Sequence, residues 1–518
     1  MSQDSDSFDE LVKQWTAQAE AFTSAMQEFF SAATRPVKEG PSSGIDESFN
    51  QWGRAVSRLA TLQAQTLSQC LSNLPRAGRD RLDAQSFSQL DRMARANWEE
   101  EIRRFSEIPF QFAERAKQAD AGKMARLFES MMAEYAADLQ NLKPEDFVVD
   151  FKPLAGAWAE VLSGSPDDKA ARMVERFLQA MTVKAKYGSE YYADPENTVV
   201  GQTPHEVVYR QGSIELHHYQ APEAVSRQEA PPVLIVYSVI NKPYILDLVP
   251  GYSFIEHLLS QGLDVYLVDW GPIEPGDRET SLDGYIDPGI KGCVEEIKKR
   301  TGSEKVSLFG HCIGGNLALM YAALYPEDIA RIIILTTPIT AAEGGVVALW
   351  TDRDVFPVDE IIESFGHMPA KLIRYTFMAL KPYYEVMKWK MFMENLGDDQ
   401  VMALFGPVDR WANENVDIPG DVFRKFIKEV FHDDRFRRGE TRINGKPVDL
   451  SAITCPLMNL AATRDWIVPL ESAEILGDLV GSREKHFIPI EGAHVGIMID
   501  PRSRPHWTTM SDFLRAGS

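Results

Sequence analysis

One stretch constrains this chain more than any other: Val306-Ser307-Leu308-Phe309-Gly310-His311-Cys312-Ile313-Gly314-Gly315-Asn316-Leu317-Ala318-Leu319. An apolar run of strand length enters Gly-x-Cys-x-Gly and passes straight into a helical pattern. A sharp strand-to-helix turn leaves no room for side chains on its flanks, and Gly310 and Gly314 meet that demand. Cys312, at the tip, has a helix N-terminus behind it, where negative charge is favoured. The amide of Ile313 is then one donor for an oxyanion. A second is expected from the loop after the first core strand, at Val239 or Ile240. Gly-x-Cys-x-Gly alone says little, because a single cysteine is more often a small buried hydrophobe. The context carries the reading.

That context is an alternation of periods. Residues 206–210 and 214–219 read as the strands of a hairpin around Gln211-Gly212. Strands are then expected at 233–237, 264–268, 306–309, 332–335, 457–460 and 485–488. Helices are expected at 248–261, 285–301, 316–325 and near 508–515. Alternating βαβ units imply a parallel sheet with helices on both faces. The alternation stops at Thr336-Thr337-Pro338 and resumes at Leu457, leaving an aromatic-rich helical block that reads as a cap insertion at about 340–450. Asp465 follows one late strand and His494 the next. Nucleophile, acid and histidine thus occur in the chain order of an α/β-hydrolase, each just past a strand end. Alone, Asp465 would be a turn former and His494 a hydrogen-bonded loop residue. In this order and at these strand ends, Cys312, Asp465 and His494 read as a catalytic set. His311 is expected to point away from the nucleophile and to be structural.

Upstream, Trp15, Ala19, Phe22, Met26 and Phe29 recur at helical spacing, as do Trp52, Val56, Leu59 and Gln63, and later Met124, Leu127, Met131, Tyr135 and Leu139. The resulting division is a helical N-terminal region at 1–150, a helical linker at 151–200 and an α/β-hydrolase-like domain at 201–518. Such stripes are first of all packing surfaces. The elongated helices they imply would pack on each other, on the rest of the chain or on a partner.

Charge and composition exclude other classes. Across 518 residues, 54 Lys and Arg face 76 Asp and Glu, a net charge of −22. That balance argues against nucleic acid as the main partner. No uncharged apolar run reaches the ~18–20 residues of a membrane span. The polar, acidic opening lacks the pattern of a secretory signal, so the cytoplasm is the expected compartment. The four cysteines, Cys70, Cys293, Cys312 and Cys455, show no CxxC spacing. His217, His218, His257, His432 and His506 show no metal-ligand spacing, and no metal is expected.

From about Gly201 onward the sequence resembles polyhydroxyalkanoate synthases, most closely the short-chain, two-subunit kind. The resemblance lies in Thr203-Pro204-His205-Glu206-Val207-Val208-Tyr209, Asn241-Lys242-Pro243-Tyr244-Ile245-Leu246-Asp247-Leu248, Asp269-Trp270-Gly271 and the Cys312 turn. It continues through Asp409-Arg410-Trp411, Phe423-Arg424-Lys425-Phe426, Ile453-Thr454-Cys455-Pro456, Asp465 and Gly492-Ala493-His494-Val495-Gly496. Residue 466 is Trp where the family usually has His, and the first 200 residues do not resemble the N-terminal region of the longer single-subunit members. The resemblance implies polymerisation of (R)-3-hydroxyacyl-CoA, 3-hydroxybutyryl-CoA above all, into polyester with release of coenzyme A. It places the family's catalytic Cys, Asp and His on Cys312, Asp465 and His494. No cofactor is implied, since coenzyme A arrives with the substrate. A homodimer, a separate helical partner subunit and location at the surface of polyester granules are further expectations. Arg424, Lys425 and Lys428 are candidate cations for the coenzyme, though each is first of all a solvated charge. Two rival readings share the features: a thioesterase or polyester depolymerase on the same fold, and a non-catalytic granule-coating protein.

Overall fold

The computed structural model describes residues 152–516, apart from 165, 189–190, 227, 274–279, 342–350, 354–355, 357 and 381–382. The helical stripes expected within 1–150, and Cys70, lie outside the described residues. The chain forms two compact units: 152–198 with 375–413, and 199–374 with 414–516.

The first unit is helical. Helices Lys152–Ser163, Asp168–Tyr187, Tyr383–Glu394 and Asp399–Asn413 contribute to it. The side chain of Asp167 accepts from the amide of Ala170 at 2.6 Å and so caps the start of the second helix. The buried cluster joins Leu154, Trp158, Phe177 and Met181 to Phe392, Leu396 and Phe405. Asp409 is buried there and accepts from the amides of Tyr192 (2.7 Å) and Ala193 (2.9 Å).

The second unit is built on an eight-stranded sheet. Its strands are β1 (His205–Gln211), β2 (Ile214–Tyr219), β3 (Val233–Val236), β4 (Val265–Asp269), β5 (Val306–His311), β6 (Ile329–Leu335), β7 (Leu457–Ala462) and β8 (Lys485–Ile490). They lie in the order β1-β2-β4-β3-β5-β6-β7-β8. The β1–β2 and β2–β4 pairs are antiparallel, and every later pair is parallel. Every residue of β3, β5 and β7 is buried, as a sheet covered on both faces requires. Helix α1 (Phe254–Ser260), α2 (Lys291–Thr301), α3 (Ile313–Leu324) and α4 (Arg504–Arg515) are among the covering elements. In α3 every residue from Ile313 to Ala323 is buried, which explains why it carries no polar face.

Two expected helices are shorter. Residues 248–253 do not join α1; they fold back through the short strands Asp247–Val249 and Tyr252–Ser253. Pro250-Gly251 turns the chain, with Gly251 at φ +77°, and Ser253 caps α1 by accepting from the amide of Glu256 at 2.9 Å. Likewise Tyr285–Ile290 forms a wide helical turn broken at Asp287, before Pro288, and α2 begins only at Lys291. The block expected as a cap is shared. Helices Val358–Phe365 and Gly420–Phe426 and the strand pair His367–Met368/Ile418–Pro419 belong to the sheet unit, whereas 375–413 pack in the helical unit.

Candidate active site

The turn after β5 is built by close approach. A Cβ on Gly310 would sit 2.6 Å from the Cα of Gly315, and one on Gly314 would collide with the carbonyl oxygens of Val236 and Tyr237. Only glycine lets β5, β3 and α3 meet there. Gly315 is held to the same standard by Thr337, a requirement that sequence reading missed. Cys312 takes φ 53° and ψ −131°, a left-handed conformation that costs a non-glycine residue ~1–3 kcal/mol. Its amide donates to the carbonyl of Leu335 at 3.0 Å, and its carbonyl accepts from the amide of Gly315 at 2.9 Å. Its side chain therefore stands at the head of α3 and is almost fully buried.

Asp465 and His494 come from the loops after β7 and β8. Those loops are stitched together by the amides of Thr463 and Arg464, which donate to the carbonyls of Ile490 and Gly492 at 2.9 Å each. One oxygen of Asp465, Oδ1, accepts from the amides of Ile467 (2.8 Å) and Val468 (3.0 Å). The other, Oδ2, is 2.6 Å from His494 Nδ1. The carboxylate is fully buried and occupied on both oxygens. Burial alone would push the His494 imidazole below its ordinary range. The negative charge of Asp465 and the charge and hydrogen bonding of Cys312 outweigh it and hold His494 well above that range. Cys312, His494 and Asp465 are thus brought together. Of the other described thiols, burial pushes Cys293 up to about 12 and Cys455 up to about 11.

His311 does not point away from this group as expected. Its ring is buried, stacks on Tyr237 with centroids 5.1 Å apart, and lies 5.5 Å from the ring of His494. Burial, and then the His494 charge, keep it well below the ordinary imidazole range.

Of the two loop amides considered for an oxyanion, that of Ile240 is engaged with Ser238 Oγ at 3.3 Å. The amides of Val239 and Ile313 donate to no group among the described residues. The β3 loop that carries Val239 runs against the head of α3, where Gly314 meets Tyr237. Arg424 and Lys428 both face Asp359, at 3.0 and 2.7 Å, and Lys425 pairs with Asp283, so these cations have carboxylate partners within the fold. Among the described residues no group of His, Cys, Asp and Glu could hold a metal ion, and no helix is long and apolar enough to cross a membrane.

The sheet order, the turn at Cys312 and the loops that carry Asp465 and His494 define a chain of the α/β-hydrolase class. The alpha/beta hydrolase fold model matches residues 231–501. A second model, described as the N-terminus of poly-beta-hydroxybutyrate polymerase (PhaC), matches residues 177–258, beginning before the Gly201 from which the resemblance is drawn. Poly(3-hydroxyalkanoate) polymerase subunit PhaC of Allochromatium vinosum is 32% identical over 327 residues, covering 63% of this chain and 92% of that one. The protein of the same name from Haloferax mediterranei is 31% identical over 350 residues, covering 67% and 69%. The crystal structure of Paleococcus ferrophilus monoacylglycerol lipase covers 57% of this chain and 97% of its own, with 17% identity and a TM-score of 0.37. The chain belongs to the poly(3-hydroxyalkanoate) polymerase family, and is a polymerising acyltransferase on an α/β-hydrolase fold.

Proposed function

We propose that the chain polymerises (R)-3-hydroxyacyl-CoA, with 3-hydroxybutyryl-CoA as the preferred unit, through a thioester on Cys312. His494 takes the Sγ proton, and the sulfur attacks the thioester carbonyl. The amides of Ile313 and Val239 hold the oxyanion. Collapse breaks the bond to coenzyme A, which leaves as the thiol with the proton from His494. His494 then removes the proton from the 3-hydroxyl of the next unit, whose oxygen attacks the acyl group on sulfur; the bond to Cys312 Sγ breaks, His494 returns the proton to that sulfur, and the lengthened acyl-CoA is transferred to Cys312 in its turn. Exchange of one thioester for another is close to thermoneutral, so the activation needed for ester formation survives the transfer. A serine ester would lose it.

The observation that carries this reading is the Asp465–His494 contact at 2.6 Å, with His494 held above its ordinary range by Asp465 and Cys312 together. Both oxygens of Asp465 are occupied, which favours orienting His494 over direct help to the hydroxyl. The near-complete burial of Cys312 and His494 keeps water from the acyl-enzyme. The protein works as a homodimer at the surface of polyester granules, with the helical stripes of residues 1–150 supplying the contacts a separate helical subunit would otherwise give.

The test is to incubate the purified full-length chain alone with 3-hydroxybutyryl-CoA and longer hydroxyacyl-CoAs, following thiol release and turbidity. Polymer with thiol release is expected, fastest with the four-carbon unit. Free hydroxy acid without polymer would make it a thioesterase. Polymer from a Cys312→Ala variant would overturn the nucleophile.

A further inference from the structure

The acyl-transfer scheme leaves the segment Asn241-Lys242-Pro243-Tyr244-Ile245-Leu246-Asp247-Leu248 without a role. It follows directly on Val239 and Ile240, and both ends of this loop are anchored. Upstream, the indole N–H of Trp270 donates to the carbonyl of Tyr237 at 2.9 Å. Downstream, buried Asp247 accepts from the amide (3.0 Å) and hydroxyl (2.6 Å) of Thr203 and from the hydroxyl of Ser253 (2.7 Å). Between these anchors the loop is gripped from a second direction by residues 414–416, where the chain re-enters the sheet unit after 375–413. The amide of Val416 donates to the carbonyl of Ile240 at 2.9 Å, Asn241 and Asn415 form an antiparallel bridge, and the hydroxyl of Tyr244 donates to Glu414 Oε2 at 2.8 Å.

A peptide unit has an amide on one side and a carbonyl on the other. The Ile240 carbonyl shares its peptide with the Asn241 N–H; the next peptide upstream carries the Ile240 N–H, which Ser238 Oγ holds, and the one beyond carries the Val239 N–H. Fixing the 240–241 peptide on one side and the Tyr237 carbonyl on the other therefore limits rotation of the two peptides between them, including the one whose N–H belongs to Val239. An oxyanion donor is worth most when it is already aimed and cannot turn away. We propose that residues 414–416 are a strap that holds the Val239 amide on its oxyanion, and that Tyr244 and Glu414 are positioning residues for acyl transfer. This rests on the acyl-transfer reading above. Tyr244 and Glu414 are each only half-buried, so the fold depends little on their contact, whereas the aim of the neighbouring amide depends on it.

The test uses the full-length chain and 3-hydroxybutyryl-CoA, with Tyr244→Phe, Glu414→Leu, Glu414→Gln and the double variant Tyr244→Phe/Glu414→Leu. Deleting an oxyanion donor costs about 10²–10³ in kcat, and loosening one should cost about tenfold. Tyr244→Phe and Glu414→Leu are each expected to lower kcat about tenfold with KM and Tm unchanged. The double variant should be no worse than either, and Glu414→Gln, which keeps an acceptor, should retain most of the rate. An unchanged kcat in Tyr244→Phe, additive losses in the double variant, or losses that follow Tm would each overturn the strap. A Cys312→Ala control separates the two levels. If it still releases thiol, the acyl-transfer reading falls. If it is dead while Tyr244→Phe is normal, only the strap falls.

Discussion

Replacing Asp465 with Asn tests the link between geometry and chemistry most sharply. Asparagine offers one oxygen and one NH2 where aspartate offers two oxygens. The amides of Ile467 and Val468, at 2.8 and 3.0 Å, need an acceptor at the Oδ1 position. The NH2 group then faces His494 Nδ1, across the 2.6 Å contact that joins it to Asp465. Two N–H donors cannot share that line, so the imidazole must carry its proton on Nε2, toward Cys312, where it cannot accept another. Where this tautomer trap is complete the loss is about 10⁴ in kcat, or about 5.4 kcal/mol at ~1.36 kcal/mol per tenfold. The amide can escape the trap only by turning over, which leaves two backbone donors without acceptors at about 1–3 kcal/mol each. The smallest loss consistent with the structure is therefore about 2 kcal/mol, near 30-fold. The assay is thiol release from 3-hydroxybutyryl-CoA on rapid mixing with excess enzyme, so that the first acylation is seen alone. Acylation itself should be slowed. One equivalent of thiol released at the wild-type rate, followed by a stall, would refute the argument, because it would place Asp465 in the hydroxyl attack instead of behind His494.

Other outcomes follow from the same geometry. Gly314→Ala should cost more than about 3 kcal/mol or prevent folding, because its methyl would meet two backbone carbonyls that cannot move apart; a Tm within a degree or two of wild type would contradict this. Iodoacetamide at neutral pH should label Cys312 well ahead of Cys293 and Cys455, whose thiols are held up at about 12 and about 11, and peptide mass spectrometry reads the order directly. His494 has a folded-state pKa above its unfolded value, so the stability it contributes is fully present below the ordinary imidazole range and is lost as pH rises through the raised value. The Tm gap between wild type and His494→Gln should therefore narrow with rising pH, and a gap that widens would reverse the sign.

The sequence carries the sheet unit and its chemistry plainly because strands buried on both faces read as unbroken apolar runs. The runs that became β3, β5 and β7 are of that kind, and the glycines around Cys312 mark a turn that no other residue could make. What it conceals is set by contacts between distant residues. Nothing in the period of 248–261 says that Pro250-Gly251 will fold 248–253 back on themselves before α1 begins. Nothing in the Gly-His-Cys pattern places the His311 ring 5.5 Å from His494, because β8 reaches that spot from the far edge of the sheet.

The choice between Val239 and Ile240 is the instructive case. Spacing allows either amide. The structure separates them by one side chain, since Ser238 Oγ takes the N–H of Ile240, whereas that of Val239 meets no acceptor among the described residues. The carbonyl of the same Ile240 is then taken by Val416, far along the chain. A hydroxyl one residue before Val239 and a strap after residue 413 thus act on adjacent peptides, one removing a competing donor and the other removing a rotation. Ser238→Ala should release the Ile240 amide without disturbing the strap, and Tyr244→Phe should loosen the strap without releasing that amide. If both act by blurring which N–H meets the oxyanion, each lowers kcat for acylation and leaves KM alone, and together they lose more than either. A Ser238→Ala variant with wild-type acylation would show that Ile240 cannot reach the oxyanion even when its N–H is free, and that the grip of residues 414–416 alone fixes the donor.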